Sequence, residues 1–261
     1  MKNILIIISL IFISKTYAQD AIRVKYLLEY KIDSTNLNIV DTEFFLLDIL
    51  NENKNSYFQS EANFLKDSIL TSKNPHSLFQ IKKPEFKFNI LKDNNLESDL
   101  VFYDYTAYKY FIQDDVKLDW KIQNDSVKTI LNQKCKKAET NFRGRKYTAW
   151  FSTEILISDG PYKFKNLPGL ILELYDNKNH YHFKAIAIQK MSDYSVYMNK
   201  SDYTEVTKKQ FNEFQNKIKE KPSLILYNPN IQIPKEGLDK YDKTHRERNK
   251  YKNNPIELIN E

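Results

Sequence analysis

Three of the chain's four glycines, Gly144, Gly160 and Gly169, fall within one short stretch, and Pro161 and Pro168 sit among them. Glycine is the residue that takes left-handed backbone or lets two backbones approach closely. A chain this poor in it must build everything else from elements that L-residues form without strain. Within 159–174, Gly160-Pro161 permits a sharp change of direction and then fixes φ. Pro168 pushes Leu167 into extended geometry, and Gly169 frees the chain to turn back before Leu170-Ile171-Leu172. Residues Gly160, Pro161, Asn166, Leu167, Pro168 and Gly169 therefore predict an arch. It either crosses between two parts of a sheet or forms a mouth loop over an apolar cavity.

The rest of the chain alternates. Ile22, Val24, Tyr26, Leu28, Tyr30 and Ile32 interleave with Arg23, Lys25, Leu27, Glu29 and Lys31, the period-two pattern of a half-buried strand. Glu43–Leu50 and Ser56–Glu61 are apolar runs joined through an Asn-Glu-Asn-Lys-Asn turn at 51–55. Further strands are expected in 85–91, in the Tyr- and Phe-rich 101–112, at Trp120-Lys121-Ile122, in 134–142 and 147–152 around Arg143-Gly144-Arg145-Lys146, and in 170–175 and 181–189. The 18 Tyr and 16 Phe suit such strands, because aromatic rings pack well on a pleated surface. Two helices interrupt the pattern. Asn63–Leu70 carries Phe64, Leu65, Ile69 and Leu70. Thr207-Lys208-Lys209-Gln210 is a capping box followed by a Phe211, Phe214, Ile218 stripe and stopped by Pro222. The stripe is expected to pack on the core. The fold class is mainly β: a curved antiparallel sheet or half-barrel meander with one helix near 207–220 packed on it.

Lys2, the apolar run Ile4–Ile13 broken only by Ser9, and Thr16-Tyr17-Ala18 have the form of a secretory leader cleaved after Ala18. The run is too short to span a bilayer as a helix, which takes roughly 20 apolar residues, and no second candidate span follows. The organisation expected is a leader at 1–18, a single β-rich domain at 19–235 and a charged, mobile tail at 236–261. Export with Cys135 as the only cysteine leaves no internal disulfide, and a thiol inside a strand pattern reads as a small buried hydrophobe. The net charge of +6 includes Lys2 and Lys15 of the leader, and a surplus that small does not argue for nucleic acid.

The chemistry-bearing motifs are few. There is no G-x-S-x-G elbow, Walker A loop or G-x-G-x-x-G, and Ser152 and Thr153 have no evident base. No cofactor is implied. His180 and His182 flank Tyr181 and make half a metal site, to which Asp176 or Glu173 would have to add; two exposed polar residues beside a turn is the simpler reading. Glu173 lies in an apolar strand. Outward on the alternation it is ordinary; buried, it would titrate high and mark a site. Asp114, Asp115, Asp99 and Asp104 read as loop acids. Lys134, Lys136, Lys137, Arg143, Arg145 and Lys146 lie on one hairpin beside Tyr147 and Trp150, a possible anion-binding patch or a solvated face.

Lys134-Cys135-Lys136-Lys137-Ala138, Phe142-Arg143-Gly144-Arg145, Ala149-Trp150-Phe151-Ser152, Gly160-Pro161-Tyr162-Lys163-Phe164, Asn166-Leu167-Pro168-Gly169-Leu170-Ile171-Leu172 and the terminal Asn254-Pro255-Ile256-Glu257-Leu258 resemble the GLPGLI family of exported Bacteroidetes proteins. Asn166 stands in place of the first glycine of the naming motif. The resemblance implies export into a Gram-negative envelope, supplies no catalytic residues and carries no established function. A strand-rich meander with one packing helix is also similar to LolA/LolB-type lipoprotein carriers, by analogy of architecture alone. The expectation is a non-enzymatic periplasmic or outer-membrane-associated protein. It would hold an apolar or lipid-like ligand, or an envelope partner, with Trp150, Tyr162, Phe164, Leu167 and Leu170 as lining. The alternatives are a metal-dependent hydrolase built on His180 and His182, and an accessory module of an outer-membrane transporter that uses the arch for contact.

Overall fold

The structure, a computed structural model, describes residues 19–50, 55–71, 81–93, 96–105, 108–194, 199–228 and 230–258. The leader with its cleavage point, residues 51–54 of the expected turn, and His76 lie outside them.

The alternation becomes one sheet. Its strands are β1 (Gln19–Tyr30), β2 (Asp41–Leu50), β3 (Asn55–Ser60), β4 (Phe88–Asp93), β5 (Asp99–Tyr105), β6 (Tyr108–Asp114), β7 (Lys121–Ile130), β8 (Gln133–Phe142), β9 (Arg145–Ser152), β10 (Ile171–Asp176), β11 (Tyr181–Tyr194) and the short β12 (Thr204–Glu205). They lie in the order β12-β6-β5-β4-β3-β2-β1-β11-β10-β9-β8-β7. Two meanders thus meet where β1 pairs with β11, and every pairing is antiparallel except that of β12 with β6. The mainly β expectation holds, with an open sheet whose edges are β7 and β12.

The sheet is strongly curled. β6 and β9 are eight places apart in the strand order, which in a flat sheet would be roughly 38 Å. Yet Arg143, in the turn between β8 and β9, reaches Asp114 at the end of β6 with 2.9 Å between Nη2 and Oδ1. The apolar set read from the alternation lines the inside of the curl: Val24, Tyr26, Leu28, Phe45, Leu47, Phe58, Ile90, Leu174 and Phe183 are buried there in one cluster. Phe45 stacks on Phe58 with centroids 4.9 Å apart, and Phe183 meets both edge-on.

Helix α1 (Glu61–Thr71) takes the place of the short helix expected at 63–70. Phe64 from it covers the guanidinium of Arg23 at 4.2 Å, itself in a buried fork with Asp48. Helix α2 (Lys208–Glu220) starts on the expected capping box: Thr207 Oγ1 accepts from the Gln210 amide while the Gln210 side chain accepts from that of Thr207. Its stripe packs on the meander of β1 to β6, Phe211 against Tyr103 at 4.1 Å and Phe214 against Tyr105. The stretch expected as a charged tail contains helix α3 (Lys235–Asn249). Buried Asp242 on α3 accepts from the amide and hydroxyl of Ser223, in the 3-10 turn at Pro222–Leu226. Among the described residues no helix is long and apolar enough to cross a membrane.

Candidate functional site

Between β9 and β10 the chain leaves the sheet and crosses the inside of the curl, as the arch. Gly169 allows its return: a Cβ there would fall 1.8 Å from the Ser152 carbonyl oxygen. The two ends are sewn together by Ser152 N–H to Leu170 O and Leu170 N–H to Ile155 O. The Ser152 hydroxyl, for which no base was evident, accepts from the Glu154 and Ile155 amides and so serves the turn. Phe164, Leu167 and Leu170 are each at most 1% exposed and belong to the core; Phe164 sits among the rings of Tyr147, Phe142 and Trp120.

Three lysines fix the arch to the opposite meander or meet it from there. Lys92 on β4 donates to Asp159 and to the Gly160 carbonyl, both at 2.6 Å. Lys165 reaches Asp99 on β5, and Lys163 reaches Asp114 on β6. Asp99 and Asp114, read as loop acids from the sequence, are each 1% exposed. Burial raises the Asp99 pKa, only partly opposed by Lys165. Burial acts the same way on Asp114, but Lys163, Lys208 and Arg143 outweigh it and hold that carboxyl below its ordinary value.

A cavity of about 560 Å³ opens between this inner surface and α2. The sheet contributes Phe88, Tyr103, Ile112 and Tyr181, the arch Tyr162 and Lys163, and α2 Phe211, Asn212 and Gln215. Pro255, Ile256 and Glu257 close one side. One end is aromatic, with Phe86 and Phe88 in ring contact at 5.7 Å, and Tyr162, 5.1 Å from Phe88, leads from it to the charged end. The other end is charged, with Asp114 Oδ1 2.7 Å from Lys208 and Oδ2 2.5 Å from Lys163. Tyr162 has φ +55°, a left-handed backbone on a bulky residue, which costs about 1–2 kcal/mol. Its ring is buried, and its hydroxyl donates to Glu257 at 2.6 Å. Burial, then the Glu257 charge, raises the Tyr162 pKa well above 10, so the phenol keeps its proton and remains a donor.

The segment that brings Glu257 there is held like a bound peptide. Tyr181 donates to Asn254 O, Arg145 to Pro255 O and Ile256 O, and Tyr147 to Ile256 O. Arg145 also holds Asp176 and the Asn254 side chain.

Of the five lining residues expected from the sequence, Tyr162 faces this cavity. Trp150 stands half-buried on β9 with Lys128 over its ring at 5.6 Å, and Phe164, Leu167 and Leu170 pack beneath the arch. His180 and His182 do not converge. His180 is buried with Nδ1 3.4 Å from Arg145, a cation where a metal would have to sit. Burial lowers its pKa, Asp176 opposes that, and Arg145 adds to it. His182 Nε2 lies 2.9 Å from Glu173. Among the described residues no three His, Cys, Asp or Glu side chains gather for a metal ion. Glu173 is buried, contrary to the simpler expectation, but it does not titrate high. Burial pushes it up, and the bonds from His182 and Lys128 more than reverse that. Nor do the hairpin cations form one patch: Arg143 and Arg145 turn inward to Asp114 and Asp176, while Lys137 and Lys146 share Glu139.

The residues missed by the sequence reading are Asp114, Lys163, Lys208 and Glu257. Each looked like a surface charge, and only the curl brings them together. Only Lys163 and Glu257 carried a signal, by lying inside the family-like blocks; Asp114 and Lys208 carried none.

A family model described as a protein of unknown function (Porph_ging) matches residues 101–173. The GLPGLI resemblance is borne out. In GLPGLI terms the matched stretch runs from β5 into β10 and includes the whole arch. The structure explains the Asn at the motif's first position: Asn166 has φ +71°, a left-handed backbone that glycine adopts freely and asparagine tolerates. Among solved structures the fold is similar to PNGF-II in two crystal forms, at TM-score 0.52 and 12% identity, over 74% of this chain and 32% of that one. The chain thus spans about a third of the PNGF-II chain, and at this identity the likeness concerns the fold alone. A weaker likeness, TM-score 0.31 at 5% identity over 67% of this chain and 52% of the other, is to MucB in complex with MucA(peri). No curated protein matches the chain significantly.

Proposed function

We propose that this chain is a non-enzymatic binding protein of the bacterial envelope, exported by its leader, and that it holds an apolar or lipid-like molecule in the cavity beneath α2. The observation that carries the reading is that cavity. It is about 560 Å³, walled by aromatic rings from the sheet, the arch and α2, and its size and lining are those of small-molecule sites. The arch supports the reading by bracing the curl from inside, so that the inner face stays open below α2 instead of collapsing.

The test is native mass spectrometry of the protein purified from its own envelope, followed by organic extraction. The expected result is a lipid-like species at near one copy per chain, lost in a Phe211→Asp variant that still melts cooperatively. An empty wild-type protein would overturn the reading and shift weight to an envelope partner, such as an outer-membrane transporter that contacts the arch. A metal at stoichiometric level would revive the hydrolase alternative.

A further inference from the structure

The cavity is not uniformly apolar, and the chain itself supplies an occupant for its polar end. Glu257 Oε1 lies 2.6 Å from both Tyr162 Oη and Lys163 Nζ. Lys163 is 4% exposed at its side chain, and Lys208 reaches the same Asp114 carboxylate from α2. Among the lining charges are four lysines, Lys163, Lys208, Lys219 and Lys252, against Glu85, Asp114 and Glu257. Arg143 adds a fifth cation, bonded to Asp114. Lys252 pairs with Glu85, so without Glu257 the polar end would hold Lys163, Lys208 and Arg143 against Asp114 alone, where desolvated charge is costly unless matched. A proton-holding phenol and an ammonium, both aimed at one oxygen, form a fitting seat for a carboxylate.

Glu257 can also leave the seat without unfastening the terminal segment, its place at Tyr162 and Lys163 being taken by another carboxylate. The carbonyls of residues 254–256 are fixed by Tyr181, Arg145 and Tyr147, and Leu258 N–H bonds Arg143 O. A rotation of the Glu257 side chain vacates the seat and breaks none of these.

We infer that the Tyr162–Lys163–Lys208 end of the cavity is a carboxylate seat, held by Glu257 in the resting chain and taken by the carboxylate of a long-chain amphiphile. The tail of that molecule lies against Phe88, Tyr103 and Phe211. This rests on the binding reading above and names its ligand class: a fatty-acid-like molecule, not a neutral lipid. The bound head exchanges for Glu257, so the chain's own carboxylate sets the affinity.

The experiment is displacement of the uncharged fluorophore N-phenyl-1-naphthylamine from the full chain by oleate and by oleyl alcohol, which shares the tail and lacks the charge. Oleate is expected to displace the probe at about tenfold lower concentration, the scale of one charge-assisted hydrogen bond. In Glu257→Gln, oleate should bind several-fold more tightly and oleyl alcohol unchanged. In Lys208→Gln, oleate should weaken and the alcohol stay the same. Both side chains keep some contact with water, Lys208 at 31% and Glu257 at 15% exposure, and a thermal melt confirms that the variants fold. Equal displacement by oleate and the alcohol, or an oleate affinity indifferent to Glu257→Gln, overturns the carboxylate seat while the binding reading stands. If neither the probe nor either competitor binds, both fall.

Discussion

Gly169 lies so close to Ser152 that a Cβ on it would meet the serine carbonyl oxygen at 1.8 Å. The obstacle is backbone, and it belongs to the same Ser152 whose amide bonds Leu170, so no rotamer change relieves it. Gly169→Ala is expected to destabilise the chain by about 4 kcal/mol or more in urea denaturation. Asn166 makes the contrast. At φ +71° a change to Gly should stay within about 1 kcal/mol, whereas Asn166→Leu should cost about 1–2 kcal/mol. If Gly169→Ala melts like the wild type, the arch does not return as described.

The Lys92–Asp159 pair ties the arch to β4 with both side chains largely out of water. Removing one partner leaves a buried charge, so Lys92→Met should cost about 3–5 kcal/mol. Lys92→Met with Asp159→Asn should recover part of that loss, because no uncompensated charge remains. A double-mutant cycle on denaturation midpoints measures it; purely additive effects would mean that the contact is not a pair.

Asp114 predicts an acid limb. Its pKa in the fold is held below the ordinary value, and burial alone would raise it, so the three neighbouring cations dominate. A carboxyl depressed by folding contributes stability that is full above its unfolded pKa, about 3.9. That stability is lost as pH falls through the lower folded value. Stability should therefore drop below pH 4, and Asp114→Asn should be less stable at neutral pH with a shallower decline in acid. Thermal melts from pH 2 to pH 7 decide this; parallel curves for the two proteins would remove Asp114 from the account. Asp99, raised by burial, works in the opposite sense, and its protonation favours the fold.

Cys135 is fully buried on β8, and burial pushes its thiol up to about 11. Nucleophilic attack needs the thiolate, so the native chain should not react with a disulfide reagent at pH 8 over hours. It should react once per chain in denaturant. Rapid labelling of the native protein would mean that β8 opens, or that the thiol serves a function not assigned to it.

What the sequence made legible were features set by near neighbours. Alternation in 22–32 placed Val24, Tyr26, Leu28 and Tyr30 inside, because side chains of a strand alternate whatever the strand pairs with. The Thr207–Gln210 box started α2 where it was expected, because a cap is local hydrogen bonding. The arch was readable because its Gly and Pro restrict their own dihedrals. The cavity was not legible in that way. Asp114, Lys163, Lys208 and Glu257 are surface-type residues spread over more than half of the described chain, and no pattern of spacing marks them. His180 and His182 looked paired because they are close in sequence, yet packing turned one to Arg145 and the other to Glu173.

The sequence by itself determined strands, turns and caps, since each follows from dihedral preference and side-chain alternation over a few residues, and its motif blocks carried the family resemblance. The tertiary structure alone decided how far the sheet curls. That curl brings Arg143 to Asp114 from eight strands away and turns scattered surface charges into one end of a cavity. The physical reason is that twist accumulates from strand to strand, while the pairing order and the arch that brace it are long-range contacts that no local window of residues contains.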